Sequence, residues 1–280
     1  MTGVQTCALP IFWVGESYGE RRASALNIAN LAWGVGAMCS APAVMYAVRE
    51  SHVNSLLYLS GAATILLAIA LIRMNFGKPP HEEATQQAPD NSRIAGTGVA
   101  ILLGTLFYVY VGTEVSTSYW AATHAERAAT WLSNTYTLAP TFFFAGLLGG
   151  RGAAAVILLH LKEATVAVSG LLIAAAGELL FITAHSPAAL FTGAFFAGLG
   201  LSSLYPILVA WLTKWFGARA RKVGGAMFGM AAVGSATMPP LVGIVSRLAN
   251  NTLRIGLIVP LARCLVMLTV IALLRPNTRG

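Results

Sequence analysis

Eight apolar stretches of roughly 20 residues run through this chain and constrain its fold more than any other feature. A helix of that length crosses the hydrocarbon core of a bilayer, where the backbone has no water to bond with and must satisfy its own polar groups. The sequence therefore predicts an all-α polytopic membrane protein with eight transmembrane helices. We number the predicted spans in chain order as 24–48, 55–73, 97–120, 136–160, 165–184, 189–212, 223–247 and 252–274.

The composition excludes the usual soluble classes. Only 10% of the residues are charged and 56% are hydrophobic, whereas soluble domains carry about 25% charged residues. The three cysteines, Cys7, Cys39 and Cys264, are too few and too scattered for a disulfide framework or a metal site. No motif for ATP hydrolysis, metalloprotease chemistry or a nucleophilic serine is present. We therefore expect no cofactor and no enzymatic activity.

The basic residues predict the orientation. The formal net charge is +8. Such an excess usually faces the anionic cytoplasmic side of a membrane, so nucleic acid is not the expected partner. With the segment before span one in the cytoplasm, the cytoplasmic connections hold Arg21, Arg22, Arg73, Lys78, Arg93, Lys162, Lys214, Arg219, Arg221, Lys222, Arg275 and Arg279. The opposite side keeps only Arg49, Arg127, Arg247 and Arg254. This bias predicts that both termini and the long linker are cytoplasmic. We also expect the membrane to be the bacterial inner membrane.

The first residues differ in character from the rest. Residues 1–11 read MTGVQTCALPI, which lacks the basic start and long apolar stretch of a secretory signal. The string resembles the translation of a sequencing adapter. We expect it to be non-native, with the protein's own start lost upstream of Phe12.

An internal repeat suggests how the spans are organised. At an offset of 198 residues Gly36 meets Gly234 and Pro42 meets Pro240. Further identities pair Trp13 with Trp211, Gly19 with Gly217, Arg21 with Arg219, Val44 with Val242 and Arg49 with Arg247. Span one thus matches span seven, as in transporters built from two parallel six-helix halves. We predict that 12–73 forms the last two helices of the first half, 74–96 a cytoplasmic linker and 97–280 a complete second half. Four helices would be missing.

One segment of span three carries a family resemblance. The run Tyr-Val-Gly-Thr-Glu-Val-Ser at 110–116 resembles the seventh helix of sugar permeases of the major facilitator superfamily, in the fucose and glucose/galactose proton-symporter branch. Residues 20–36 are similar to the start of the family's fifth helix, and 146–151 to its eighth. The resemblance implies helices 5–12 of a twelve-helix fold, in a monomeric carrier of a small polar solute coupled to protons.

Four charged side chains fall inside the spans: Glu114, Arg151, Glu178 and Arg263. Each costs about 2.5–3.5 kcal/mol at mid-helix, so each should face protein or a wet cavity. A rise of about 1.5 Å per residue places Arg263 closer in depth to Glu114 than Arg151 is. We therefore expect Glu114 to pair with Arg263 more readily than with Arg151. For Arg151 we favour a structural role at helix ends near the cytoplasmic side, and for Glu178 a packing role.

Glu114 is the strongest candidate for function. On a 3.6-residue period Tyr110, Glu114, Thr117 and Ser118 share one face and predict a polar stripe along an apolar helix. Such a stripe suits a solute with hydroxyl groups, and the carboxylate could bind a proton. The alternative is a structural ion pair or a hydrogen bond between packed helices.

Several other residues are candidates for lining the solute path or shaping the helices. Asn30, Trp33, Asn134 and Tyr136 are possible lining residues, because aromatic faces stack on sugar rings, although packing and interfacial anchoring also explain them. The pairs Gly146/Gly150 and Gly225/Gly229 predict close helix contacts. Structural or gating roles fall to Gly36, Gly234, Pro42 and Pro240, and the prolines at 42 and 239–240 should break their spans.

The sequence leaves three functions open. The first is a proton-coupled symporter that takes up a sugar or similar polyol by alternating access. The second is a proton-coupled exporter of drugs or metabolites. The third is a membrane-embedded enzyme or a non-transporting receptor, which should show catalytic residues clustered at one depth. We expect a compact six-helix body with two helices beside it, in contact with the lipid bilayer.

Overall fold

The computed structural model describes residues 18–73, 96–128 and 133–277. Within these residues the chain is helical, without strands, and eight segments are long and apolar enough to cross a membrane. The predicted all-α polytopic fold with eight spans is confirmed. The N-terminal string 1–11 and nearly all of the linker 74–96 lie outside the described residues.

Eleven α-helices make up these segments, and three of the spans consist of two helices each. The helices are α1 (Arg22–Ala29), α2 (Leu31–Arg49), α3 (Val53–Arg73), α4 (Thr97–Ala128), α5 (Ala139–Ile157), α6 (Glu163–Thr183), α7 (Pro187–Leu201), α8 (Leu204–Phe216), α9 (Ala220–Leu248), α10 (Leu253–Gly256) and α11 (Ile258–Asn277). Short 3₁₀ turns precede α1, α5 and α9, at Gly19–Arg21, Ser133–Leu138 and Gly217–Arg219.

The positions of two helix breaks follow from local chemistry. Span one breaks at Asn30, whose side-chain amide donates to the Leu26 carbonyl at 2.8 Å. The sixth span breaks at Ser202 and Ser203, which places Pro206 in the first turn of α8. A proline is tolerated there because the first-turn N–H groups have no partner inside the helix.

The prolines that we expected to interrupt spans one and seven do not do so. Helix α2 continues through Pro42, and α9 continues through both Pro239 and Pro240. The prediction of breaks at these prolines is therefore wrong. Transmembrane helices tolerate proline because neighbouring helices and hydroxyl side chains satisfy the freed backbone groups.

The internal repeat has a structural counterpart at the cytoplasm-facing turns of the predicted topology. Gly19 and Gly217, which the 198-residue offset pairs, both have positive φ, at +49° and +48°. Each opens a 3₁₀ turn that leads directly into the first helix of a membrane span. Glycine adopts this left-handed conformation without the steric cost that a Cβ would add. The two equivalent segments therefore form the same local structure.

Helix α4 is the central element of the main body. It packs against α9 and α11 and also contacts α5, α7 and α8. Its large side chains Phe107 and Tyr110 are fully buried, as are Leu103 and Leu106. Because α4 contacts so many helices, its polar residues face protein on several sides.

Close packing of α5 on α7 depends on glycine. A Cβ at Gly146 would overlap the carbonyl oxygen of Phe195, and a Cβ at Gly198 would overlap that of Phe143. Gly150 likewise lies against Ser202. The predicted contact at Gly146 and Gly150 is confirmed.

The second predicted glycine contact is wrong. A Cβ added at Gly225 or Gly229 would have no atom within 4 Å in the part of the chain that the structure describes, and both residues are exposed on α9. Spacing alone could not separate the two motifs, because it does not say whether another helix lies opposite.

The first two spans lie beside the main body, as expected. Helices α1 and α2 pack against α5, and α1 also packs against α8. Helix α3 contacts α2, and none of its residues Val53–Ala70 is buried. Span one is therefore the part of this pair that meets the helices carrying the candidate site.

Candidate functional site

The candidate site begins with two residues one turn apart on α4. The Tyr110 hydroxyl donates a hydrogen bond to Oε2 of Glu114. Tyr110 is fully buried, and Glu114 is only 9% exposed. Glu114 therefore faces protein rather than lipid, as a carboxyl inside a membrane span must unless it lines water.

A cation and a second tyrosine complete the surroundings of this pair. The Arg151 guanidinium from α5 attracts the Glu114 carboxyl and makes hydrogen-bonding contact with the Tyr110 hydroxyl. The Tyr205 ring from α8 lies 6.1 Å from that of Tyr110, centroid to centroid, and its hydroxyl also interacts with Glu114 and Arg151. Helices α4, α5 and α8 thus bring together the Glu114 carboxyl, the Arg151 cation and the hydroxyl groups of two tyrosines.

Arg151 extends this cluster to span one. Its Nε donates to the Ser202 carbonyl at 3.2 Å, and its Nη1 donates to the Asn30 carbonyl at 3.2 Å. The guanidinium carbon lies 4.8 Å from the centroid of the Trp33 ring. A cation over an indole face within about 6 Å contributes about 0.5–2 kcal/mol. Two predicted lining residues, Asn30 and Trp33, therefore reach the cluster through Arg151.

The expected pairing of Glu114 with Arg263 is wrong. Arg263 from α11 instead contacts the Met238 sulfur of α9 and faces Tyr108. Depth along the membrane normal was the only basis for the expectation. Depth does not give the angle at which a side chain leaves its helix, and α11 presents Arg263 to α9 rather than to the buried side of α4 near Glu114.

The residues of the predicted polar stripe on α4 do not share one set of partners. The Thr117 hydroxyl donates to Oε1 of Glu178 on α6, whereas Ser118 is half-buried and bonds the carbonyl of Glu114 in its own helix at 3.0 Å. Successive helical residues are rotated by about 100°, so Thr117 and Ser118 cannot face the same neighbour. Thr117 therefore belongs to a separate contact, and the stripe is shorter than expected.

Glu178 forms its own buried contact, apart from Glu114. Its carboxyl is fully buried, Thr117 bonds Oε1, and Oε2 has no hydrogen-bond partner among the described residues. Cys264 of α11 interacts with the same carboxyl. Glu178 therefore lies between α4 and α11, and the packing role that we expected for it stays a prediction.

The remaining predicted site residues take peripheral positions. Tyr136 is half-buried in the 3₁₀ turn before α5, and the side chain of Asn134 lies outside the described residues. The Trp33 ring is 50% exposed and meets Phe144 edge-on at 5.9 Å. Of the candidate lining residues, Trp33 therefore combines an open surface with contact to the charged cluster.

The four predicted structural residues differ in their surroundings. A Cβ at Gly234 would overlap the carbonyl oxygen of Tyr108, so α9 approaches α4 closely there. Its repeat partner Gly36 has no such neighbour in the described part of the chain. Pro42 is half-buried and Pro240 is exposed. The contact at Gly234 brings α9 against the helix that carries Glu114.

Sequence analysis missed one buried ionisable residue. His124 was placed beyond the end of span three, but α4 continues to Ala128 and buries it. Its Nε2 lies 3.0 Å from the Phe181 carbonyl of α6. The spacing in the sequence could have indicated its burial, because His124 lies seven residues after Thr117, which is two helical turns along the same face.

A groove of about 460 Å³ lies elsewhere on the surface. Its lining is apolar except for Thr192, and Phe142 stacks on Phe191 with ring centroids 4.6 Å apart. None of the candidate site residues lines it. The groove therefore lacks the charged and hydroxyl groups that would bind a polar solute.

The arrangement around Glu114 permits two kinds of chemistry. A buried carboxyl can take up and release a proton, and it can accept hydrogen bonds from hydroxyl groups. Among the described residues, His, Cys, Asp and Glu side chains form no group of three that could hold a metal ion. Proton exchange and hydrogen bonding to a solute are therefore the chemistry to consider.

Comparison with solved structures identifies the fold. The chain is similar to a transporter of the major facilitator superfamily, FucP, in the outward conformation, with a TM-score of 0.70 and 18% sequence identity. The match covers 95% of this chain and 71% of that chain. No protein-family model and no curated protein matches. The chain therefore has the helix arrangement of the major facilitator fold.

Proposed function

We propose that this chain, which has the major facilitator fold, belongs to a secondary transporter that takes up a sugar or similar small polar solute together with protons. The observation that carries the proposal is the buried cluster of Tyr110, Glu114 and Arg151 between α4 and α5. Ionisable groups inside membrane spans are costly, and where they occur they commonly mark solute or proton pathways.

Glu114 supplies the proton-binding group in this proposal. Its carboxyl has one neutral hydrogen-bond donor, Tyr110, and one nearby cation, Arg151. Both interactions depend on whether the carboxyl carries a proton. A change of protonation therefore changes the forces on α4, α5 and span one, which is what coupling to movement requires.

The neighbouring groups favour a neutral, hydroxyl-bearing solute. Two nitrogen atoms of Arg151 already donate to the carbonyls of Ser202 and Asn30, which leaves the guanidinium less able to bind a solute anion. The half-exposed Trp33 ring offers an apolar face for a sugar ring, and Ser118 offers a hydroxyl nearby on α4. Asn134 and Tyr136 would extend the lining.

The proposed arrangement follows the major facilitator architecture. Residues 12–73 would belong to the first half and residues 97–280 to the second, with 74–96 as a cytoplasmic linker. The solute would bind where span one meets α4, α5 and α8, and the halves would rock about it. We propose a monomer in the bacterial inner membrane with both termini in the cytoplasm.

Transport by the full chain in proteoliposomes tests this function. Labelled L-fucose, D-glucose and D-galactose are supplied with and without an imposed pH gradient, and uphill accumulation is measured. Glu114→Gln should abolish proton-driven accumulation while exchange of solute across the membrane continues. Glu178→Gln, which changes another buried acid that is bonded to Thr117, is the matched control and should keep accumulation.

Two outcomes would contradict the proposal. Unchanged uphill accumulation in Glu114→Gln would remove Glu114 from proton coupling. Proton-driven movement out of the cytoplasmic compartment, in place of uptake, would identify an exporter.

A further inference from the structure

Arg151, which the proposed function uses only as the cation near Glu114, also joins two breaks between helices. It is buried on α5, and its side chain reaches the carbonyls of Ser202 and Asn30. Both carbonyls lie at helix breaks, between α7 and α8 and between α1 and α2. The Asn30 carbonyl also accepts from the Gly34 N–H at 3.2 Å, so Arg151 is a second donor there, at a helix break that water cannot reach inside a bilayer.

The same guanidinium also meets groups on both sides of the candidate site. On the side of span one it lies over the Trp33 ring at 4.8 Å. On the side of α4 it attracts Glu114 and contacts the Tyr110 hydroxyl. Arg151 thus bonds the Asn30 carbonyl of span one and, at the same time, attracts the acid on α4.

The balance between these two sets of partners depends on charge. A guanidinium keeps its positive charge under all physiological conditions, whereas a carboxyl loses its charge when it binds a proton. Attraction between opposite charges is much stronger inside a protein than in water. The bonds to the Asn30 carbonyl and the Trp33 ring involve uncharged partners, so only the pull of Glu114 changes with protonation.

The other ionisable groups around Glu114 can be named helix by helix. Tyr110 is on its own helix, Arg151 faces it from α5 and Tyr205 from α8. Helix α11 directs Arg263 toward Tyr108 and Met238, and Cys264 toward Glu178. Helix α7 has no ionisable side chain, and the ionisable residues of α9 lie near its two ends. Tyr136 is the ionisable side chain of the 3₁₀ turn before α5.

We propose that Arg151 is a positioning residue that couples the protonation of Glu114 to the contact between span one and the second half. Loss of the Glu114 proton draws the guanidinium toward the carboxylate and away from the Asn30 carbonyl and the Trp33 ring. Binding of a proton to Glu114 lets the guanidinium return to the Asn30 carbonyl and the Trp33 ring. The inference rests on the proposed function in one respect only, that Glu114 is the group that binds and releases the proton.

Trp33 fluorescence provides a direct test that needs neither solute nor a pH gradient. The full chain in lipid nanodiscs is titrated with acid, and the spectrum of Trp33→Phe is subtracted to isolate Trp33 among the six tryptophans. We expect the Trp33 emission to change with pH along a single titration curve. Glu114→Gln, which is nearly isosteric, should abolish that change.

Further variants separate coupling from a merely structural role. Arg151→Gln should abolish the pH response, and Arg151→Lys, which keeps the charge but not the planar fork, should restore part of it. Glu178→Gln should leave the response intact. Because removal of Arg151 can unfold the protein, the comparison of wild type with Glu114→Gln decides the matter without it.

The results distinguish this inference from the proposed function. A Trp33 emission that does not change with pH, or one that changes equally in Glu114→Gln, would overturn the inference even if proteoliposomes accumulate sugar. A Glu114-dependent response in a chain that transports none of the sugars would support the inference and leave the transport proposal refuted for those sugars.

Discussion

Thr117 and Glu178 join α4 to α6 through a hydrogen bond that is buried on both sides. The other hydroxyls nearby on α4, those of Thr113 and Ser116, bond carbonyls one turn back in their own helix. Thr117 instead bonds a different helix. Together with the buried contact between His124 Nε2 and the Phe181 carbonyl, this polar contact fixes which face of α4 meets α6.

The Thr117–Glu178 contact predicts a non-additive effect on stability. Thr117→Val should leave the Glu178 carboxyl buried without a partner and lower the unfolding free energy by about 1–3 kcal/mol. Changing both residues, to Val and Leu, should cost less than Thr117→Val alone, because no polar group is then left unpaired. Thermal unfolding in detergent micelles measures the effect, and strictly additive losses would contradict it.

The α5–α7 interface predicts a sharp difference between two neighbouring glycines. Gly146→Ala places a methyl group on the Phe195 carbonyl and should destabilise the protein by about 1–3 kcal/mol. Gly149→Ala is the matched control, because no atom lies within 4 Å of its Cβ position in the described structure. That variant should be neutral or slightly stabilising, since alanine favours a helix more than glycine does. Equal melting temperatures for the two variants would show that α5 and α7 are not closely packed.

We predict that loss of the Tyr110 hydroxyl impairs transport rather than folding. Tyr110→Phe removes the hydroxyl that bonds Glu114 and contacts Arg151, while the aromatic ring is retained. Because the bond to a charged group contributes about 1.5–3 kcal/mol, proton-driven accumulation should fall by about tenfold or more. Tyr119→Phe, at an exposed position on the same helix, should leave the rate unchanged. A normal rate in Tyr110→Phe would show that the hydroxyl has no part in coupling.

We predict that Trp120 stabilises α9 where that helix contains its two prolines. Its Nε1 donates to the Pro239 carbonyl at 3.0 Å, and its ring lies over Gly243, where a Cβ would be 3.2 Å away. Trp120→Phe loses the hydrogen bond and part of the ring contact, so the unfolding free energy should fall by about 1 kcal/mol or more. Trp215→Phe, on α8, is a comparison at a distant site. Trp215 stacks on Trp211, so each variant is compared with the wild type, and a Trp120→Phe variant as stable as the wild type would argue against a role for Trp120 in supporting α9.

Sequence patterns were sufficient wherever the bilayer itself imposes the rule. Hydrocarbon demands long apolar helices, so the eight spans and most of their limits could be predicted from residue order alone. Because a charged group is costly in hydrocarbon, Glu114 was expected to face protein or water rather than lipid, and the structure buries that residue. The pairing of Gly19 with Gly217 was visible as a repeat, and both glycines have positive φ in the structure.

Partners across helices could not be predicted in the same way. Depth along the membrane suggested that Arg263 would meet Glu114, but the structure brings Arg151 there. Two glycine motifs with the same spacing have different surroundings, since Gly146 meets α7 and Gly225 meets no described residue within 4 Å. Each case depends on rotation about a helix axis and on the neighbour present, which one-dimensional spacing does not contain.

The residue order by itself thus determined a helical membrane protein, the number of its crossings and the costly charges that must be sheltered. Only the tertiary structure decided which groups shelter them: Tyr110 and Arg151 for Glu114, and Thr117 for Glu178. The physical reason is that transfer into hydrocarbon is a property of each segment alone. Hydrogen bonds and charge attraction act over a few ångströms between segments, and so they depend on how the helices pack.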